Sequence, residues 1–249
     1  MSLEALIFDL DGTMADTEET HRQAFNAAFI KLGLWWDWGP PCYGELLEVS
    51  GGIDRLHHFI ESLNATPEEK ARLHAIVPAI HATKSEIYAE LLRSGARPLR
   101  AGVKRLIGEA QQQGLKVAVV STSSSANALA VLGGRFMPPQ FQGVDLLVAA
   151  DEVPRRKPAP DLYERALALL HKRAEACVAF EDSANGLRAA RAAGLTTVVT
   201  PTRWTMAQDF SSADALLPDA SELDVDRLRR LHEARWQRRR LAAAGGARP

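Results

Sequence analysis

Two hydrophobic patterns alternate along the chain. Short apolar, often β-branched runs occupy residues 5–8, 116–120, 144–149, 176–180 and 196–200, whereas apolar residues repeat every three or four positions in residues 103–113, 161–171 and 183–193. The first pattern predicts buried strands and the second predicts amphipathic helices. Their alternation predicts an α/β fold: a Rossmann-like, doubly wound parallel sheet with helices on both faces.

This alternation is interrupted from about residue 17 to residue 98, where no strand-like run occurs. The interval predicts four helices, over residues 20–32, 54–63, 67–77 and 79–93, followed by a return linker at residues 93–98 that contains Gly and Pro. An insertion of this kind can cover the edge of the sheet as a lid. We therefore predict a core formed by residues 1–16 and 98–223 and an inserted α-helical cap domain at residues 17–97.

Residues 224–249 differ from the rest because they are rich in arginine. The arginines are Arg227, Arg229, Arg230, Arg235, Arg238, Arg239 and Arg240. We predict a helix followed by a disordered tail at residues 242–249. A basic run of this kind can bind nucleic acid or an acidic partner, but a solvated helix and tail is the simpler interpretation.

Composition narrows the classes of function. The 249 residues are 46% hydrophobic and carry a formal net charge of −1, so no overall field favours nucleic acid or a membrane as a partner. No apolar run approaches the roughly 20 residues that a membrane-spanning helix needs. Cys42 and Cys177 lack metal-site spacing and are expected to be free thiols in a reducing compartment. We expect a cytoplasmic monomer, or a protein of the plastid stroma if a transit peptide has been removed.

Two carboxylates, Asp9 and Asp11, follow the first predicted strand. Asp and Gly are ordinary turn residues, so a tight turn is one interpretation. However, like charges two residues apart crowd each other, and a hard divalent cation prefers oxygen ligands of this kind. In that case one carboxylate can act as a nucleophile while the other transfers a proton.

Other polar residues follow later strands, and the carboxyl ends of parallel strands share one edge. Ser121 follows residues 116–120, where it can donate to a phosphate or cap a helix. Glu181 and Asp182 follow residues 176–180, where they suit Mg²⁺, although Asp182 can also be an N-cap. Lys157, in a proline-stiffened loop, can reach Asp9 and a phosphate as a point charge or remain solvated.

These residues lie in four segments that resemble, in order, the four motifs of the haloacid dehalogenase superfamily. The segments are Asp9-Leu-Asp-Gly-Thr13, Ser121, Lys157-Pro-Ala-Pro-Asp161 and Glu181-Asp-Ser-Ala-Asn-Gly186. The resemblance implies that Asp9 is the nucleophile and Asp11 the acid/base, and that Ser121 and Lys157 hold the transferring phosphoryl group. It further implies an Mg²⁺ cofactor held by Asp9, Asp182, Glu181 and Asp11, the last through its backbone carbonyl.

The inserted segment resembles the cap of the β-phosphoglucomutase-like subgroup. The matching positions predict substrate contacts for Glu18, His21, Gly52, Arg55 and Lys84 in the cap and for Ser123 in the core. In this subgroup a residue at the position of His21 orients the acid/base, and Arg55 would bind a distal phosphate. The alternatives are a solvated histidine for His21 and an exposed helix face for Arg55 and Lys84.

Within this subgroup the chain looks most like the CbbY phosphatases, through its tryptophans near residue 36, Gly51-Gly52 and the fourth motif. That resemblance implies an Mg-dependent sugar-phosphate phosphatase acting on xylulose 1,5-bisphosphate through an aspartyl-phosphate. A β-phosphoglucomutase or another small sugar-phosphate phosphatase is the alternative. A binding protein on a degenerate enzyme fold would have a broken motif, and none is broken. Trp35, Trp36 and Trp38 can cover a sugar ring or fill the cap core.

Overall fold

A computed structural model describes residues 2–94, 99–133 and 143–245 of the chain. Six parallel strands form one sheet in the order β3-β2-β1-β4-β5-β6. They are β1 (Ala5–Asp9), β2 (Lys116–Val120), β3 (Leu146–Val148), β4 (Cys177–Glu181), β5 (Thr196–Val199) and β6 (Ala215–Leu216). This sheet confirms the predicted fold class. The last strand, β6, lacks a recognisable apolar run because it is only two residues long.

Helices cover both faces of the sheet. Successive side chains of β1 point to opposite sides and pack in different clusters. Leu6 and Phe8 belong to one apolar cluster and Ala5 and Ile7 to another. The first cluster includes residues of α5 (Val103–Gln112), α6 (Ser125–Val131) and α9 (Val225–Gly245), and the second includes residues of α7 (Asp161–Leu170) and α8 (Ala184–Ala192). All five residues of β1 are buried, which explains its nearly continuous apolar sequence.

Four helices lie between β1 and α5: α1 (Glu18–Lys31), α2 (Pro40–Leu46), α3 (Gly52–Ser62) and α4 (Pro67–Ser94). They enclose an apolar cluster of their own, in which Phe25, Phe29 and Trp38 are fully or almost fully buried. Helix α2 was not predicted, since its seven residues include two prolines and a glycine, and tertiary contacts through Tyr43 and Leu46 hold it in place.

The prediction of two helices over residues 67–77 and 79–93 is wrong, because α4 is continuous through Pro78. An interior proline removes one backbone hydrogen bond and costs about 3 kcal/mol. Val77 and Ile80 on either side of it are fully buried in the apolar cluster of the four helices, and this packing outweighs the cost.

The arginine-rich segment forms α9, whose first turns pack against α5 through Val225 and Leu228. This helix runs to Gly245, four residues into the segment predicted to be a disordered tail. Residues 246–249 of that tail and residues 95–98 of the predicted linker lie outside the described residues. None of the described helices is long and apolar enough to cross a membrane.

Candidate active site

The register of the sheet brings predicted catalytic and metal-binding residues to one edge. Phe8 is aligned with Val119 on one side and with Phe180 on the other. Asp9, Ser121 and Glu181 therefore come at, or one residue beyond, the ends of β1, β2 and β4. The structure thus brings together residues that are more than 170 positions apart in the chain.

Lys157 joins two of these carboxylates. Its Nζ lies 2.6 Å from Asp9 Oδ1 and 2.6 Å from Glu181 Oε1. Burial by itself would lower the pKa of Lys157, but Asp9 and Glu181 together raise it above its usual range. The ammonium group is therefore a fixed positive charge at the sheet edge, and the solvated-loop alternative for Lys157 is wrong, because its side chain is only 3% exposed.

Asp9, Glu181 and Asp182 each offer an oxygen within 4.8 Å of those of the other two. Asp9 Oδ2 and Glu181 Oε2 are buried and have no hydrogen-bonding partner among the described residues. Burial raises the pKa of Asp9 to about 7, although Lys157 opposes the shift. Burial and the charge of Asp9 together raise the pKa of Asp182 well above its usual value. Unpaired carboxylate oxygens in a compact group fit a hard divalent cation such as Mg²⁺.

Two glycines make this close approach of carboxylates possible. A Cβ atom at Gly12, where φ is +86°, would lie 2.3 Å from Asp182 Oδ2. A Cβ atom at Gly186, near the start of α8, would lie 1.8 Å from Glu181 Oε2. Any other residue at either position would displace a carboxylate of the cluster.

Asp11 lies outside this cluster and accepts hydrogen bonds of its own. Its Oδ1 is 2.5 Å from Thr17 Oγ1 and 3.2 Å from His21 Nε2, and its Oδ2 is 3.3 Å from Ser121 Oγ and 3.2 Å from Ser123 Oγ. Burial tends to raise the pKa of Asp11, but the hydrogen bonds from His21 and Thr17 hold it well below its usual range. Its carboxylate is thus separate from the metal-type group, while the predicted role of its backbone carbonyl stays a prediction.

His21 connects Asp11 to helix α4. Its Nδ1 lies 2.6 Å from Lys84 Nζ, and its ring stacks on Tyr88 with centroids 3.9 Å apart. Burial lowers the pKa of Lys84 to about 7, although Asp11 opposes the shift. His21 and Lys84 are therefore buried members of one polar chain, so the alternatives of a solvated histidine and an exposed lysine are wrong.

The capping alternatives for Ser121 and Asp182 are also wrong. The N-cap of α6 is Ser124, whose side chain accepts from Asn127 N, and the N-cap of α8 is Ser183, whose side chain accepts from Gly186 N. Ser121 Oγ instead accepts from Ser123 N. Ser121 thus remains free to donate to Asp11, and Asp182 lines the inner part of the site.

Two adjoining cavities lie above the sheet edge. The inner chamber, of about 60 Å³, is lined by Asp9, Lys157 and Asp182, and the outer chamber, of about 200 Å³, by His21, Gly52 and Ser123. Asp11, Glu18, Gly51, Arg55 and Thr122 line both. The described residues thus form an elongated site with the carboxylate cluster at one end.

The predicted cap residues divide between these chambers and the surrounding walls. Arg55 is buried and donates to Leu46 O, Val49 O and Tyr43 Oη, which excludes an exposed helix face. Glu18 accepts from the same tyrosine at 2.9 Å. Lys84 is not among the described residues that line either chamber and reaches the site through His21.

Sequence reasoning missed several residues of the site. Among them are Thr17, His81, Tyr88, Arg156 and Tyr163. Tyr163 donates to Glu181, and Tyr88 donates to Asp11 at 3.4 Å. Apart from Arg156, each comes from a helix or loop whose position depends on tertiary packing, so no local pattern marks it. Arg156 alone had a signal, its place beside Lys157.

Two of the three neighbouring tryptophans pack in the apolar cluster of the four helices between β1 and α5 rather than beside the site. Trp38 is fully buried among Phe25, Phe29 and Tyr43, and Trp36 packs on Phe59. Trp35 is fully exposed. None of the three is among the described residues that line the two chambers.

The chain is similar in sequence to proteins of one known family. A model of haloacid dehalogenase-like hydrolases matches residues 3–194. The chain is 44% identical over 221 residues to the protein CbbY of Rhodobacter capsulatus, covering 89% of this chain and 95% of that one. It is also 44% identical over 216 residues to a plasmid CbbY of Cupriavidus necator, covering 87% and 85%.

Solved structures show the same similarity. The crystal structure of a mutant CbbY from Rhodobacter sphaeroides in complex with xylulose-(1,5)bisphosphate superposes with a TM-score of 0.79. It is 40% identical and covers 89% of this chain and 96% of that one. A β-phosphoglucomutase from Clostridium difficile has a TM-score of 0.72 over 93% of this chain and 98% of that one, but at 21% identity it shows the shared fold alone.

Proposed function

We propose that this chain, which belongs to the haloacid dehalogenase-like hydrolase family and is a phosphatase enzyme, hydrolyses xylulose 1,5-bisphosphate through an aspartyl-phosphate on Asp9. The observation that carries the proposal is the position of Asp9, 2.6 Å from the ammonium of Lys157 and within 4.8 Å of two more carboxylates. The choice of substrate rests on the 40% identity to a CbbY that was crystallised with that bisphosphate.

In the first step an oxygen of Asp9 attacks phosphorus, and the bond from phosphorus to the sugar oxygen breaks. Lys157 and Ser121 stabilise the charge on the transferring phosphoryl group. The leaving sugar oxygen takes a proton from Asp11. A phosphate dianion beside Asp11 repels its negative charge and so favours the protonated form that this step requires.

In the second step water attacks phosphorus of the aspartyl-phosphate, the bond to Asp9 breaks, and inorganic phosphate leaves. Asp11 takes the proton of the attacking water. His21 and Thr17, which stabilise the Asp11 carboxylate, keep it oriented and ready to act as this base. Lys84 and Tyr88 hold the imidazole of His21 in turn.

Asp9, Asp182 and Glu181 would hold Mg²⁺, together with the backbone carbonyl of Asp11. When bound, Mg²⁺ neutralises charge on the phosphoryl group and lowers the repulsion that the Asp9 carboxylate meets. The fit rests on the two unpaired buried carboxylate oxygens described above.

Residues 17–97 act in this proposal as a cap domain over a core of residues 1–16 and 98–223. Glu18, Gly52 and Arg55 from the cap and Ser123 from the core enclose the sugar and its second phosphate. Closure of the cap excludes bulk water from the aspartyl-phosphate until the sugar has left.

The test is phosphate release by the purified protein with Mg²⁺ over xylulose 1,5-bisphosphate, sugar monophosphates and β-glucose 1-phosphate. We expect the highest kcat/KM for the bisphosphate, loss of turnover with EDTA, and its recovery on addition of Mg²⁺. The Asp9→Asn variant should be inactive. Formation of glucose 6-phosphate from β-glucose 1-phosphate with little free phosphate would instead identify a mutase.

A further inference from the structure

The loop before α7 supplies a cation to each end of the elongated site. Lys157 lines the inner chamber, whereas its neighbour Arg156 lines the outer one. We propose that Arg156 binds the second phosphate of the sugar bisphosphate and so sets the preference for bisphosphates over monophosphates. This inference rests on the proposed function, since it assigns the end of the substrate that does not react.

Arg156 has donors available for an anion. Its Nη1 lies 3.0 Å from Asp54 Oδ2, and its Nε is buried without a hydrogen-bonding partner among the described residues. The side chains of this pair are 36% and 52% exposed, and ion pairs so exposed contribute at most about 1 kcal/mol. A phosphate dianion, by contrast, matches the guanidinium fork with two parallel hydrogen bonds.

The acidic side chains around the outer chamber do not compete for Arg156. Asp151 accepts from the backbone N and the hydroxyl of Ser125, and Glu18 accepts from Tyr43. The carboxylate of Asp11 accepts hydrogen bonds from Thr17, Ser121 and Ser123. In contrast, Arg55, the other arginine that lines this chamber, uses only three of its five N–H groups in described hydrogen bonds. Both arginines of the chamber therefore have N–H donors that can bind an anion.

The position of Arg156 also couples phosphate binding to the cap. Arg156 comes from the core, and its partner Asp54 lies in the first turn of α3 in the cap. Gly51, with φ +90°, lies so close that a Cβ atom there would be 3.1 Å from Arg156 Cδ. A guanidinium that holds Asp54 through Nη1 and a phosphate through Nε and Nη2 would join the cap, the core and the second phosphate in one contact.

The experiment compares kcat/KM for xylulose 1,5-bisphosphate with that for xylulose 1-phosphate and xylulose 5-phosphate, in the parent protein and in Arg156→Ala. We expect the ratio of bisphosphate to monophosphate to fall about 10- to 100-fold, as for loss of a charge-assisted hydrogen bond. Most of the loss should lie in KM. Arg156→Lys, which keeps the charge without the fork, should recover part of the ratio.

Arg155→Ala is the matched control, because Arg155 is 69% exposed and pairs with Asp161 outside the chambers. It should leave the ratio unchanged. An unchanged ratio in Arg156→Ala, with a melting temperature like that of the parent, would overturn the inference and leave the phosphatase assignment intact. An equal loss on all three substrates would overturn it too, because the arginine would then act on the fold or the cap alone. If the parent protein hydrolyses none of the three, the proposed function itself fails.

Discussion

Lys157 Nζ lies 2.6 Å from Asp9 Oδ1, and both side chains are almost completely buried. The lysine also contacts Glu181, so one cation compensates two carboxylates in a place with little solvent. Removal of one partner of such a group leaves buried charge uncompensated.

Lys157→Met should therefore impair both stability and activity. We expect the free energy of unfolding to fall by about 3–5 kcal/mol, as for other broken buried ion pairs, and kcat to fall by about two to three orders of magnitude, as when one stabilising donor is lost. Urea denaturation and phosphate release with Mg²⁺ measure the two effects. A variant with the parent's kcat would show that Lys157 has no part in the chemistry.

Gly186→Ala should disturb the carboxylate cluster, since the new Cβ would meet Glu181 at 1.8 Å. Overpacking of this kind costs about 1–3 kcal/mol, and displacement of Glu181 should raise the Mg²⁺ concentration needed for half-maximal activity. Gly108→Ala is the control: this glycine is also helical, in α5, and has nothing within 4 Å of its ideal Cβ. There the substitution should stabilise by about 0.5–1 kcal/mol. Equal effects at the two sites would contradict the close approach.

The lowered pKa of Lys84 predicts that the free energy of unfolding depends on pH in a specific way. Its pKa is about 7 in the folded protein, against 10.5 for an unperturbed lysine. Between those values the unfolded chain binds a proton that the folded protein does not, so the free energy of unfolding rises with pH. The gain from pH 7 to pH 9.5 should be about 3 kcal/mol.

The Lys84→Met variant should lack this gain, because methionine carries no proton. The measurement is urea denaturation of both proteins at pH 7 and pH 9.5, and the difference between them cancels the other titrating groups. A difference that does not change with pH would mean that Lys84 titrates normally.

The tryptophans of the cap should differ sharply in importance. Trp38→Ala empties a fully buried position and should cost about 3–5 kcal/mol. Trp35→Ala removes a fully exposed side chain and should change stability by less than about 0.5 kcal/mol. The KM of the sugar phosphate should be unchanged in Trp35→Ala, and a rise in KM would restore the sugar-covering interpretation.

The alternation of strand and helix patterns was enough to predict the sheet, and the order of four polar segments was enough to predict a phosphatase of the haloacid dehalogenase-like family. Both are local signals: a strand buried on two faces must be apolar throughout, as in β1, and carboxylates such as Asp9 have no packing reason to follow it. The carboxyl ends of parallel strands meet, so Asp9, Ser121 and Glu181 were bound to share one edge.

Only the tertiary structure decided how the four helices between β1 and α5 meet the edge of the sheet. Pro78 predicts a helix end, but packing of Val77 and Ile80 keeps α4 whole. Tyr88 reaches Asp11 across 77 positions, and Arg156 meets Asp54 across 102. Such contacts produce no periodic pattern in the sequence, because the packing of whole helices decides which residue a side chain meets. The sequence by itself thus determined the sheet and which polar residues meet at its edge, and the packing of the helices decided which side chains surround them.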